Sequence, residues 1–232
     1  MRHLLIGSLL LIMPLYAVAK DLPEKIFYDS GNIQFELSYL DGQKHGTIKE
    51  YYETSELKAE ENYDRGKLKS AKKYRKDGKL EYEMRYSGGK KLETQIQFYN
   101  SGELFRERSL VNGKLEGVEK DYYQNGKIKA ERHYINGRKE GSARGYHKNG
   151  NLQGDWVFEN GVPVSATIYY RTGELWLKHT DFIGGRLNGV SLEYNKKGDL
   201  IAERFYENDR MVKRKRVLEF SLISLISWIW DW

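Results

Sequence analysis

Residues 122–141 read YYQNGKIKAERHYINGRKEG, and the two Asn-Gly pairs in that stretch, Asn125-Gly126 and Asn136-Gly137, stand eleven residues apart. Asn-Gly between runs of Tyr, Ile and charged residues is a strong signal for a β-hairpin, because a type I′ turn needs positive φ at both central residues. Outward from here the pattern recurs eight times, at steps of 23 to 25 residues, anchored on Gly31, Ser55, Gly78, Gly102, Gly126, Gly150, Gly173 and Gly198. Two residues after each anchor stands Leu or Ile, five after it an acidic residue in seven copies, and eleven after it a second glycine in seven, with Asp209 closing the last. A fixed period of this length marks a repeat architecture in which each unit buries its apolar face against its neighbours. The expected fold is all-β: an elongated, single-sheet antiparallel array of about eight hairpins.

If the first Asn-Gly pair forms a two-residue loop, the residue three before the anchor faces the residue two after it. That register pairs Tyr28 with Ile33, Tyr52 with Leu57, Tyr99 with Leu104, Tyr123 with Ile128 and Tyr170 with Leu175. Strand alternation adds Tyr39, Tyr63, Tyr86, Tyr134, Phe158 and Tyr206 to the same face. The acidic positions fall on the opposite face, across from Lys25, Lys49, Lys72, Lys120 and Arg144, giving the expected pairs with Glu36, Glu60, Glu83, Glu131 and Asp155. One face is then Tyr/Leu-rich and the other a lattice of ion pairs. The 18 tyrosines pack neighbouring strands, present an aromatic surface to a partner, or do both. The candidate partner-binding residues on that surface are Tyr99, Tyr123, Tyr134 and Tyr146.

The pattern in 122–141, with close copies at 97–117 (QFYNSGELFRERSLVNGKLEG) and 51–66 (YYETSELKAEENYDRG), resembles the MORN-repeat variant of bacterial proteins, commonly labelled the YwqK-type antitoxin family. The resemblance covers roughly residues 26–209. It implies a β-hairpin array that makes protein–protein or membrane-surface contacts.

The N-terminus departs from a cytosolic antitoxin. Met1-Arg2-His3 is a short basic start, residues 4–18 are apolar, and Ala17-Val18-Ala19 is a small-x-small cleavage site. Residues 1–19 read as a signal peptide, with a mature chain from Lys20 that is periplasmic or secreted; a retained anchor is the alternative. The chain has no cysteine, so it has neither a disulfide framework nor a lipid-attachment cysteine.

The array, residues 20–209, is expected to end at Asp209. Residues 210–232 read as a basic-apolar tail: Lys213-Arg214-Lys215-Arg216, then VLEFSLISLISWIWDW. That tail suits a helix capping the last strand, or a membrane or partner contact through Lys213, Arg214, Lys215, Arg216, Trp228 and Trp230.

Net charge is +6, with Glu and Lys interleaved rather than segregated, which argues against nucleic-acid binding. Thiol chemistry and Cys-ligated zinc are excluded. His45, His133, His147 and His179 are scattered over different repeats and read as exposed strand or loop residues, so no metal site, cofactor or catalytic group is expected. The leading function is a non-enzymatic interaction scaffold in the envelope, binding a protein along its aromatic face. A glycan- or lipid-headgroup-binding module is the alternative, suggested by Tyr/Trp-rich hairpins that carry Trp156 and Trp176. Immunity to an exported toxin is a third reading.

Overall fold

The computed structural model describes residues 23–217. The expected signal peptide, and residues 218–232 with Trp228 and Trp230, lie outside the described residues, and so does the apolar part of the expected capping helix. The chain divides into two units, Met1–Lys69 and Ser70–Trp232. Each described part is antiparallel β-structure without a helix.

In the first unit the strands Glu24–Phe27, Ile33–Leu37, Gly46–Tyr51 and Leu57–Asp64 pair in chain order, beside a short hairpin of Tyr39–Leu40 and Gln43–Lys44. In the second unit residues 70–74 begin a longer meander. Each strand pairs with the next, through Leu80–Ser87, Lys90–Phe98, Leu104–Val111, Gly117–Tyr122, Ile128–Ile135, Arg138–Tyr146, Leu152–Glu159, Val162–Tyr169, Leu175–His179, Gly189–Tyr194 and Leu200–Glu207 to Arg210–Arg216. The array therefore does not stop at Asp209. Asn208 (φ 48°) and Asp209 (φ 71°) form a turn without glycine, and the basic run expected in a tail is a further strand, with Lys215 opposite Glu203.

The two turns of each copy differ, although both carry Asn-Gly in the clearest one. At the second turn both central residues have positive φ, as in Asn136 (52°) and Gly137 (82°), and Ile135 pairs directly with Arg138, so this is the expected two-residue I′ turn. At the first turn only the anchor has positive φ (Gly126, 78°). Its N–H donates to the Tyr123 carbonyl at 2.9 Å, and the Tyr123 N–H donates to the Lys127 carbonyl at 2.8 Å. This is a three-residue loop, a type I turn followed by a left-handed residue. The extra residue corrects the expected pairing beside the turn: Ile128 faces Tyr122 rather than Tyr123, and likewise Leu57 faces Tyr51 and Leu175 faces Tyr169.

A bulge one residue further on absorbs the shift. All five expected acid–base registers are present: Lys25↔Glu36, Lys49↔Glu60, Lys72↔Glu83, Lys120↔Glu131 and Arg144↔Asp155. Ion contacts form in three of them, at 3.1 Å for Lys25–Glu36, 3.9 Å for Lys72–Glu83 and 3.1 Å for Arg144–Asp155, while Lys120 reaches Glu107 instead. These are exposed contacts, worth a few tenths of a kcal/mol each by the usual range of ~0.2–1, so they set register more than stability.

Small residues fill the tightly packed face: Ala130, Ala143, Ala166 and Ala202 are buried, and among the described residues no large side chain is fully buried. The same face is not purely apolar, which corrects the division into one aromatic and one ionic face. Ala130 pairs with buried Asp121 and Ala202 with buried Glu193. Asp121 accepts from Arg106 and Arg132, and Glu119 from Arg132 at 3.1 Å. Glu193 accepts from Arg204 at 2.8 Å and Arg214 at 2.7 Å. Asp121 and Glu193 each meet two guanidinium groups, and Arg106 grips Asp121 with two nitrogens, because a buried charge is tolerated only when it is paired.

Candidate functional site

The four tyrosines singled out from the sequence do not share one surface. Tyr99 and Tyr123 belong to first-turn loops, and each hydroxyl donates at 2.7 Å to a carbonyl one repeat on, Tyr122 and Tyr146 respectively. Tyr28 and Tyr170 do the same to Tyr51 and Tyr194. These rings are clamps between successive repeats. Tyr146 donates at 3.0 Å to Glu131, as Tyr51 does to Glu36 and Tyr122 to Glu107, so burial and the neighbouring carboxylate raise the Tyr146 pKa. Tyr134 lies on the small-residue face, its pKa raised by burial and by Glu119. Lys213, Arg214, Lys215 and Arg216 are together on Arg210–Arg216, the last of the described strands.

Aromatic and polar groups converge elsewhere, in the copy whose sequence departs most from the period. After the short strand Leu175–His179 the chain makes a separate hairpin, Phe182–Ile183 with Arg186–Leu187, turned by Gly184 (φ 56°) and Gly185 (φ 79°). It then rejoins the sheet through Gly189. That residue has φ 71°, and a Cβ there would come within 2.5 Å of an Asp181 carboxylate oxygen, so only glycine fits. The Asp181 carboxylate accepts from the Val190 N–H at 3.2 Å, and its carbonyl lies 2.8 Å from His179 Nε2.

The result is a cleft of about 410 Å³ lined by residues that include Trp156, Phe158, Ile168, Leu177, Phe182 and Tyr206, with His179 and Ser191 among its buried residues. His179 is 4% exposed, which corrects its reading as an exposed strand residue. The imidazole makes edge contacts with Phe182 (5.0 Å between centroids) and Tyr206 (5.8 Å). A carbonyl can only accept, so Nε2 carries the hydrogen and Nδ1 accepts from the Ser191 hydroxyl at 2.6 Å. Both ring nitrogens are thereby committed and the ring is fixed. Ser191 is itself 3% exposed, and its hydrogen bond to the ring fixes this wall of the cleft. The sequence signal for this place is slight: the second-turn residues Phe182-Ile183-Gly184-Gly185 stand one residue later in their copy than Tyr134-Ile135-Asn136-Gly137 do in theirs, with His179 in the strand before them.

The polar clefts are of a different kind. One of about 490 Å³ includes Val118, Lys120, Glu131, His133 and Arg144 in its lining, a strand surface already crossed by the ion-pair registers. Few convergent polar groups on mostly apolar walls characterise ligand sites, and the His179 cleft fits that description.

Four stretches of the chain, residues 20–41, 44–65, 115–136 and 139–161, match the MORN repeat variant family. No curated protein matches. Among solved structures, the chain is similar over 46% of its length to the S. aureus TarM G117R mutant in complex with Fondaparinux, alpha-GlcNAc-glycerol and UDP, at 11% identity and TM-score 0.23. It is similar over 52% of its length to TarM, at 10% identity and TM-score 0.22. In both cases it spans only 19% of that chain, a likeness too slight to carry an argument. The period, the paired turns and the four matched stretches together support a MORN-repeat protein.

Proposed function

We propose that this chain is a non-enzymatic interaction scaffold of the bacterial envelope, exported by its first 19 residues, that takes a protein partner on an aromatic surface of the repeat sheet. The observation that carries this reading is the His179 cleft, lined by Trp156, Phe158, Phe182 and Tyr206, with the last two edge-on to a fixed imidazole. Aromatic rings held at low entropic cost are the usual anchors of protein recognition. The candidate surface thereby moves from the clamp tyrosines to the cleft, because Tyr99 and Tyr123 already spend their hydroxyls within the array.

The test is capture from native envelope with the chain from Lys20 onward, comparing wild type, Phe182→Ser and Tyr99→Phe/Tyr123→Phe, each checked for folding by circular dichroism. One protein held by wild type and the tyrosine variant but lost from Phe182→Ser is the expected result. Equal capture by all three would sink the cleft as the contact. Recovery of wall glycan or lipid alone would favour the second reading, for which Trp156 offers an indole to stack against a sugar ring.

A further inference from the structure

The strand Arg210–Arg216, sequence RMVKRKR, has a second surface unrelated to the cleft. It pairs on one side with Leu200–Glu207, and among the described residues nothing pairs with its other side; all seven residues are exposed. The Val217 N–H donates to the Ile201 carbonyl at 3.0 Å, which marks 201 with 217 as a hydrogen-bonded pair. By antiparallel alternation 203 with 215 and 205 with 213 are hydrogen-bonded pairs too. The backbone N–H and C=O of Arg214 and Arg216, each in a non-hydrogen-bonded pair, therefore point out of the sheet edge. Such a row of outward groups is a template for an added strand.

The charges decide which strand it accepts. Arg214 shares a face with Glu193, which it contacts at 2.7 Å, and Arg216 lies opposite Ala202 on that face. Lys213 and Lys215 alternate to the other face, opposite Phe205 and Glu203. A second copy added antiparallel about Lys213 would set Lys213 against Lys213 and Arg210 against Arg216, and like charges directly opposite are destabilising. A flat layer of anionic headgroups would meet the cations of one face only. An extended segment with carboxylates at consecutive positions meets both faces at once.

We propose that Arg210–Arg216 is a docking edge for an extended acidic segment of another protein, added as an antiparallel strand with its carboxylates opposite Lys213 to Arg216. The backbone supplies the pairing, and Lys213, Lys215 and Arg216 supply the selection, Arg214 being held by Glu193. Neither depends on the cleft, so the two surfaces can be tested separately.

The probe is a fluorescein-labelled peptide, Glu-Glu-Glu-Glu-Val-Thr-Val, titrated into the full chain and followed by anisotropy. Two further arms use the same peptide N-methylated on alternate residues, which keeps its charge but not its pairing, and phosphatidylglycerol vesicles. Binding should weaken about tenfold or more on N-methylation and in Lys213→Ser/Arg216→Ser, the latter sparing Arg214 and Lys215. Lys213→Glu/Arg216→Glu should reverse the preference toward a Lys-Lys-Lys-Lys-Val-Thr-Val peptide. Arg216→Pro removes one outward N–H without touching a hydrogen bond inside the sheet, and should weaken binding with the charge pattern otherwise nearly intact. Equal binding of the N-methylated peptide would reduce the effect to charge alone and overturn the proposal. So would binding to vesicles without binding to the peptide, or no binding of either.

Discussion

Ser55 has φ 75° at the anchor where the other seven copies carry glycine, and it accepts that conformation because its N–H still donates to Tyr52 at 2.8 Å. An L-residue with a Cβ is strained there, so Ser55→Gly should stabilise the protein by about 0.5–1 kcal/mol in urea unfolding. Glu193 is a case of the opposite kind. Hydrogen bonds from Arg204 and then Arg214 hold its carboxyl far below the ordinary 4.5, at about 2. A folded-state pKa below the unfolded one contributes stability that is complete above pH 4.5 and is lost as the pH falls toward 2. The contribution is about 3 kcal/mol, from ~1.4 kcal/mol per unit of difference. Glu193→Gln should therefore cost roughly that much at pH 6. The gap to wild type should close between pH 4.5 and 2. A gap independent of pH would mean that the guanidinium forks do not act through the carboxylate's charge.

At the scale of the hairpin, the period, the turn positions and the five acid–base registers were legible because side-chain alternation and charge both report on strand pairing. What was not legible is that two identical dipeptides make two different turns. Asn125-Gly126 and Asn136-Gly137 read alike, yet only in the second does the asparagine enter the left-handed region. The three-residue loop moves Tyr123 out of the strand and turns it into a clamp on the next repeat. Tyr123→Phe keeps the ring and deletes that hydrogen bond, so it should cost about 1 kcal/mol, read as a lower urea midpoint at unchanged slope. The cleft was hidden for a related reason. His179 is buried with Phe182, which the second-turn hairpin returns against its ring, and Gly185 and Gly189 hold the positive φ that this return uses. Gly189→Ala meets Asp181 as well as strain in φ, and should destabilise the cleft by more than 1 kcal/mol while leaving the 128–146 hairpin protected in hydrogen exchange.

Within each unit the described sheet strands pair in chain order, and the clamps reach one repeat and no further, with separations of 23 or 24 residues. Stability in such a structure is close to a sum over units and their interfaces. Deleting one full period, residues 127–150, restores every turn to its proper partner and should leave a cooperatively folded β-protein by circular dichroism. Deleting 127–138 joins a first turn to the wrong end of a strand, and should not. The proposed function follows the same logic of position: the other copies hold the sheet, and the seventh opens a cleft against its neighbours. The measurement that tests the proposed function most directly is hydrogen exchange of the chain with and without any envelope protein that it captures. Added protection confined to the cleft strands, Leu152–Glu159, Val162–Tyr169, Leu175–His179 and Leu200–Glu207, and to the Phe182–Ile183/Arg186–Leu187 hairpin is the predicted result. Protection at the first-turn loops of Tyr99 and Tyr123, with the cleft unchanged, would contradict it.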